Sequence, residues 1–153
     1  MRREVSAGVW PVGPGGAPPR IVRGWVPPAS PYGPGHRGVD LAAEPGAEVR
    51  AVRDGRVAFA GPVGGRGVLV VELSGSGDPP LRTTFEPVRP LAEAGARVTA
   101  GDVVAALDEP AGHCAQSCLH WGLRRADAYL NPLHLIDRPP SRLLPVAGVP
   151  LPR

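Results

Sequence analysis

Alternation of apolar and polar positions with a period of two recurs along the chain, whereas no segment shows a 3.6-residue period over three helical turns. Strand-like segments of this kind, or short apolar runs, are found at residues 48–52, 56–60, 68–71, 81–86, 103–107 and 119–123. In the second of them the alternation predicts that Val57 and Phe59 share one face. The run 68–71 is apolar throughout, which predicts a strand buried on both faces.

Glycine and proline separate these segments and are concentrated at both ends of the chain. The sequence contains 21 of each, with Gly-rich or Pro-rich turns at 61–67 and 75–80 for example. So many turns favour an all-β fold, either a sandwich or a flattened barrel. We expect an extended N-terminal arm over residues 1–20, one compact domain over 21–137 and a Pro-rich, disordered tail over 138–153.

A six-residue pattern, G-A-x-V-x-A, occurs twice. One copy spans residues 46–51 and the other spans 95–100, and a predicted strand follows each of them. Chance similarity in a chain rich in Gly and Ala is one explanation. A repeated unit, in which a glycine-led turn feeds a strand, is the interpretation that we prefer.

Composition excludes several functional classes. The 153 residues carry a net charge of +3, and all 17 basic residues are arginine. The arginines are scattered and form no dense run beside aromatic residues, so nucleic-acid binding is not supported. No stretch has the length of a membrane span, and the N-terminus shows no apolar core of a signal peptide. A lipoyl or biotinyl carrier is excluded because it needs an acceptor lysine, and the chain has none.

Three residues stand out as candidate metal ligands. His36 and Asp40 lie four residues apart, and in an extended segment they face the same side with Gly38 leaving space between them. In the strand 118–123, Leu119, Trp121 and Leu123 would face the core while His120 faces the other way. Two histidines and one carboxylate suit Zn²⁺, and catalytic zinc sites use three protein ligands and leave one position for water.

The order of these motifs resembles the lysostaphin-type, or LytM-like, zinc endopeptidases. The resemblance rests on the H-x-x-x-D of residues 36–40, the glycine-led stretches 46–57 and 95–107, the Leu-His-Trp of 119–121, and Asn131-Pro132. It covers roughly residues 25–136. It implies the duplicated hybrid motif, an antiparallel β-sandwich with a groove, and a zinc site made of His36, Asp40 and His120.

Two positions depart from the family pattern. The family has two non-ligand histidines near the metal, and the matching positions here are Pro87 and Cys118. Glu86, beside the first position, and His113, in a loop before the second, are candidate replacements in the catalytic role. Strict alternation would point Glu86 away from the face of Pro87, unless a bulge at the proline reverses it.

The two cysteines, Cys114 and Cys118, allow three interpretations. A disulfide across the short loop between them is the one that we favour for an exported protein. Cys118 as a fourth, thiolate zinc ligand would close the metal site, and two free thiols are the third alternative.

Two functions follow from the resemblance. The first is a zinc endopeptidase that hydrolyses the peptide stems or cross-bridges of bacterial peptidoglycan. The alternative is a degenerate, non-hydrolytic domain that binds cell-wall peptides or regulates another cell-wall hydrolase. Either function implies an extracellular or cell-wall-associated protein.

Overall fold

The computed structural model describes residues 8–27, 35–108 and 117–136. This part of the chain is almost entirely β-structure and contains no α-helix, which confirms the predicted fold class. Short 3-10 helices occur at Pro14–Gly16 and Pro132–Leu135. The strands, in chain order, are β1 (Ile21–Arg23), β2 (Val39–Ala42), β3 (Glu48–Arg50), β4 (Gly55–Val63), β5 (Arg66–Leu73), β6 (Leu81–Glu86), β7 (Val88–Pro90), β8 (Arg97–Val98), β9 (Val103–Leu107), β10 (Cys118–Arg125) and β11 (Ala128–Leu130).

The strands form two sheets. The larger sheet has the order β1-β2-β10-β6-β5-β4-β8. The eighth strand, β11, pairs with the second half of β10, on the same side on which β2 pairs with its first half. The smaller sheet has the order β3-β9-β7. All of the pairings are antiparallel, so the fold is the antiparallel sandwich that the sequence predicts.

One hydrophobic core joins the two sheets. On β10 the core side chains are Leu119, Trp121 and Leu123, which confirms the alternation predicted for this strand. Trp121 pairs with Phe85 of β6, and both side chains are fully buried. We call this side of the larger sheet the inner face. The opposite side, which carries His120, is the outer face.

A β-bulge in β4 corrects the prediction that Val57 and Phe59 share a face. Val57 pairs with Val71, whereas Phe59 pairs with Val70, so Ala58 is an extra residue in β4. An inserted residue reverses the alternation beyond it. Val57 is therefore buried in the core, while Phe59 lies on the outer face and is 40% exposed.

The two copies of G-A-x-V-x-A have matching local structures. Gly46 and Gly95 both have positive φ, 86° and 94°, and a backbone hydrogen bond closes the turn before each strand. The strand of the first copy, β3, pairs with β9, which follows the second copy. The strand of the second copy, β8, pairs with β4, which follows the first. The repeat is therefore structural, and the strand of each copy pairs with the strand that follows the other copy.

The N-terminal segment packs against the domain from its first described residues. The amide of Gly8 donates to the Leu135 carbonyl, and the amide of Val9 donates to the Val52 carbonyl. Val12 is 2% exposed and belongs to the core, so the packed unit includes residues that precede Ile21. The predicted tail, 138–153, lies outside the described residues. Nowhere in the described ranges is there a helix with the length and apolar character that crossing a membrane requires.

A buried polar network fixes β10 against β6, and it leads to a prediction about stability. The indole Nε1 of Trp121 donates to Oγ1 of Thr83 over 2.8 Å, and that hydroxyl donates to the Gly122 carbonyl over 2.9 Å. Replacing Thr83 with valine leaves a buried indole N–H without its acceptor. We expect Thr83→Val to lower the free energy of unfolding by about 1–3 kcal/mol.

Urea denaturation measures this difference, and Thr84→Val is the matched control. Thr84 is the next residue on β6, half-buried on the outer face. Equal losses of stability in the two variants would contradict a specific role for the Thr83 hydroxyl.

Candidate metal centre

The backbone and the ring of His36 are both held in place by the chain preceding it. An isolated antiparallel bridge joins His36 to Val26 through two backbone hydrogen bonds of 2.8 and 3.0 Å. Nδ1 of the ring lies 2.8 Å from the Gly24 carbonyl oxygen and donates its hydrogen to it. This bond fixes the tautomer, because it leaves Nε2 as the nitrogen that carries a lone pair. Nε2 is the atom that faces Asp40.

Asp40 and His120 are brought together by the register between two neighbouring strands. Asp40 on β2 is the direct partner of His120 on β10, so their side chains project from the same face of the sheet. Oδ1 of Asp40 lies 2.8 Å from Nδ1 of His120, and Oδ2 lies 3.3 Å from Nε2 of His36. The carboxylate thus lies between the two rings, with one oxygen directed at each.

The three residues fit a metal ion by their donor atoms and by their surroundings. The potential ligand atoms of His36, Asp40 and His120 all lie within 4.8 Å of one another. His36 and Asp40 are buried, at 5% and 2% exposure, while His120 is 16% exposed and opens the group to the outer face. Two imidazole nitrogens and one carboxylate oxygen are a donor set typical of zinc, and the Gly24 carbonyl behind His36 is the kind of supporting contact that orients such ligands.

Gly38 provides the space that the ring of His120 occupies. A Cβ atom on Gly38 would lie 2.8 Å from Nε2 of His120 and 2.5 Å from the carbonyl oxygen of Trp121. Gly38→Ala therefore displaces the His120 ring, the ligand strand or both. We expect it to weaken zinc binding by about ten- to hundredfold, the usual effect of losing a contact that orients a ligand.

Gly122→Ala is the matched control for this substitution. A Cβ on Gly122 would find its nearest neighbour, the Arg37 carbonyl oxygen, at an ordinary contact distance of 3.6 Å. Zinc competition against a chromogenic chelator measures both affinities. Unchanged zinc affinity in Gly38→Ala would show that the His120 ring does not need residue 38 to lack a side chain.

Glu86 lies on the outer face, in line with the two candidate ligands Asp40 and His120. It pairs with His120 across β6 and β10, so Asp40, His120 and Glu86 form one row over three strands. The Glu86 side chain is 25% exposed, and its carboxylate lies 3.7 Å from the guanidinium of Arg66. Strict alternation predicts that Glu86 points away from the face of Pro87, whereas the pairing with His120 places Glu86 on the face that carries the ligands.

The other candidate residues divide between the described and the undescribed parts of the chain. Pro87 is buried directly after Glu86. His113 and Cys114 lie outside the described residues. Cys118 is buried and is engaged in a disulfide bond, and it is not among the clustered metal-ligating residues. Its pairing with Cys114 stays a prediction, as does the catalytic role of His113.

The sequence comparisons identify the family. The pattern of Peptidase family M23 matches residues 34–132, which include all three candidate ligands. The chain belongs to peptidase family M23. The lysostaphin-type, LytM-like resemblance that the motifs predicted is thereby confirmed.

A mycobacterial protein is similar to most of this chain. The uncharacterized protein Rv2891 of Mycobacterium tuberculosis is 41% identical over 146 residues, which cover 91% of this chain and 55% of that protein. The M23 chain therefore spans about half the length of the curated relatives it matches.

Solved structures of low sequence identity share the fold. A zinc containing peptidase from Vibrio cholerae superposes with a TM-score of 0.65 at 24% identity, over 83% of this chain and 39% of that one. The catalytic domain of lysostaphin from Staphylococcus simulans superposes with a TM-score of 0.63 at 20% identity, over 77% of this chain and 92% of that one.

Proposed function

We propose that this M23 domain is a zinc-dependent endopeptidase that hydrolyses peptide stems or cross-bridges of bacterial peptidoglycan. The observation that carries the proposal is the cluster of His36, Asp40 and His120 on the outer face of a family M23 fold. The lysostaphin and Vibrio cholerae structures, a peptidase and a zinc containing peptidase by name, support the choice of chemistry and metal. Action on peptidoglycan implies an extracellular or cell-wall-associated protein.

The three proposed ligands share one task, which is to hold the metal. His36 through Nε2, Asp40 through its carboxylate and His120 through Nδ1 would hold the zinc, and the Gly24 carbonyl holds the His36 ring in its tautomer. When bound, zinc polarises a scissile carbonyl and makes a water more acidic. The partial exposure of His120 leaves the site accessible from the outer face, where a peptide can approach.

Glu86 is the proposed general base. It stands beside His120 in the row and is accessible to solvent, so its carboxylate can take a proton from the attacking water and return it to the leaving amine. Of the two proposed replacements for the family histidines, Glu86 is the one whose position is described.

A hydrolysis assay on purified peptidoglycan tests the proposal. We expect solubilisation by the zinc-loaded protein, loss of activity after chelation, and recovery when zinc is restored. Zinc-independent solubilisation, or none with the zinc-loaded protein on any peptidoglycan type, would contradict it.

A non-hydrolytic role is the second candidate, and the two departures from the family pattern favour it. Proline at 87 has no titratable group, and Cys118 is engaged in a disulfide. In this alternative the domain binds cell-wall peptides or regulates another cell-wall hydrolase. Zinc binding together with peptide binding, but without hydrolysis, is the result that distinguishes it from the enzyme.

A further inference from the structure

The outer face carries more positive than negative charge over the four central strands of the larger sheet. Side chains that alternate with the core residues on β4, β5, β6 and β10 include four arginines and two glutamates. They are Arg56, Arg66, Arg82, Arg124, Glu72 and Glu86. A protein surface with this surplus attracts anionic ligands.

Among these arginines, Arg66 is exposed, lies close to Glu86 and forms only a weak ion pair within the protein. Its side chain is 44% exposed, and its ion pair with Glu86 is long, at 3.7 Å. Arg82, by contrast, makes two hydrogen bonds with Glu72, of 3.1 and 3.3 Å. A long, solvent-exposed ion pair contributes little to the stability of the protein. The guanidinium of Arg66 can therefore leave Glu86 and bind another carboxylate with little loss of free energy.

The position of Arg66 suits the side chain of a peptide bound at the metal centre. Arg66 lies on β5, two strands away from His120 on β10 and two residues along from the position level with Glu86. At the usual strand spacing and rise, the two backbones are about 12 Å apart, which corresponds to about three to four residues of extended peptide. Val63, the partner of Arg66 on β4, is 53% exposed and adds an apolar surface beside the guanidinium.

We infer that Arg66 is a specificity-determining residue that binds a free carboxylate of the peptide substrate, within a few residues of the scissile bond. This inference rests on the proposed function and names the substrate class, which is a peptide that carries a free side-chain carboxylate. The planar guanidinium gives two parallel hydrogen bonds to a carboxylate, which an amide cannot accept in the same way.

Two synthetic peptides that differ in one group test the assignment. One is a short alanine-containing peptide with a free side-chain carboxylate, and the other is the same peptide with that carboxylate amidated. Calorimetric titration of the full, zinc-loaded chain should show at least about tenfold tighter binding of the acidic peptide, as for one charge-assisted hydrogen bond. Arg66→Gln should erase that preference. Arg89→Gln, an exposed arginine on β7 of the other sheet, should retain it.

Each outcome separates this inference from the proposed function. Equal binding of both peptides, or a preference that survives Arg66→Gln, overturns the role of Arg66 and leaves the peptidase proposal standing. Absence of binding and of hydrolysis for both peptides contradicts the peptidase proposal itself. Tighter binding of a poly(glycerol phosphate) chain than of the acidic peptide, lost in Arg66→Gln, overturns the inference in favour of an anionic wall polymer.

Discussion

Replacing His120 with alanine is expected to remove zinc from the protein and to abolish metal-dependent hydrolysis. The substitution leaves two of three protein ligands, His36 and Asp40, and catalytic zinc sites need three. The parent protein should carry about one zinc per chain, as a single site requires. Elemental analysis after dialysis against metal-free buffer measures the stoichiometry of both proteins.

The fold of this variant should survive, because the inner face of β10 is unchanged. Leu119, Trp121 and Leu123 keep their core contacts, so the far-ultraviolet circular dichroism should match that of the parent. His134→Ala is the control, since His134 is exposed on a 3-10 helix and is not part of the clustered ligands. Full zinc occupancy in His120→Ala would remove His120 from the site.

Glu86→Gln is expected to slow hydrolysis by about a hundredfold to ten-thousandfold, the usual contribution of a general base. Glutamine keeps the size of the side chain and its ability to hydrogen-bond, but it cannot take up the proton. Zinc stoichiometry should be unchanged, because Glu86 is not one of the clustered ligands. Initial rates on purified peptidoglycan give the ratio of activities.

Glu72→Gln is the matched control for Glu86. Both glutamates lie on the outer face and pair with an arginine, but Glu72 pairs with Arg82 and lies farther from the ligand row. Its substitution should leave the rate nearly unchanged. If Glu86→Gln retains full activity while His113→Ala loses it, the catalytic base is His113.

The features that the sequence predicts well depend on local alternation and on motif order. The period of two over residues 119–123 assigns Trp121 to the core and His120 to the opposite face, and the structure agrees. The four-residue spacing of His36 and Asp40 likewise predicts that these two side chains meet, and they lie 3.3 Å apart. The first inference needs only the geometry of one extended strand, whereas the close contact of His36 and Asp40 also needs the bend at residues 37–38, because an extended chain would separate them by about 13 Å.

The features that the sequence predicts poorly depend on pairing between distant strands. The register that sets Glu86 beside His120 joins residues 34 positions apart, and no local pattern contains it. The bulge at Ala58 is invisible to a period-two analysis, because the inserted residue has an ordinary side chain. The hydrogen-bonding role of Thr83 cannot be predicted for a similar reason, because its two partners, Trp121 and Gly122, lie on another strand.

The most direct test of the central claim is mass spectrometry of purified peptidoglycan after incubation with the zinc-loaded protein. The account predicts fragments in which a peptide bond has gained one water, with intact glycan linkages, and their disappearance with chelator or with His120→Ala. Peptides that remain uncut in the presence of a fully zinc-loaded chain would contradict the claim that this metal centre is a peptidase.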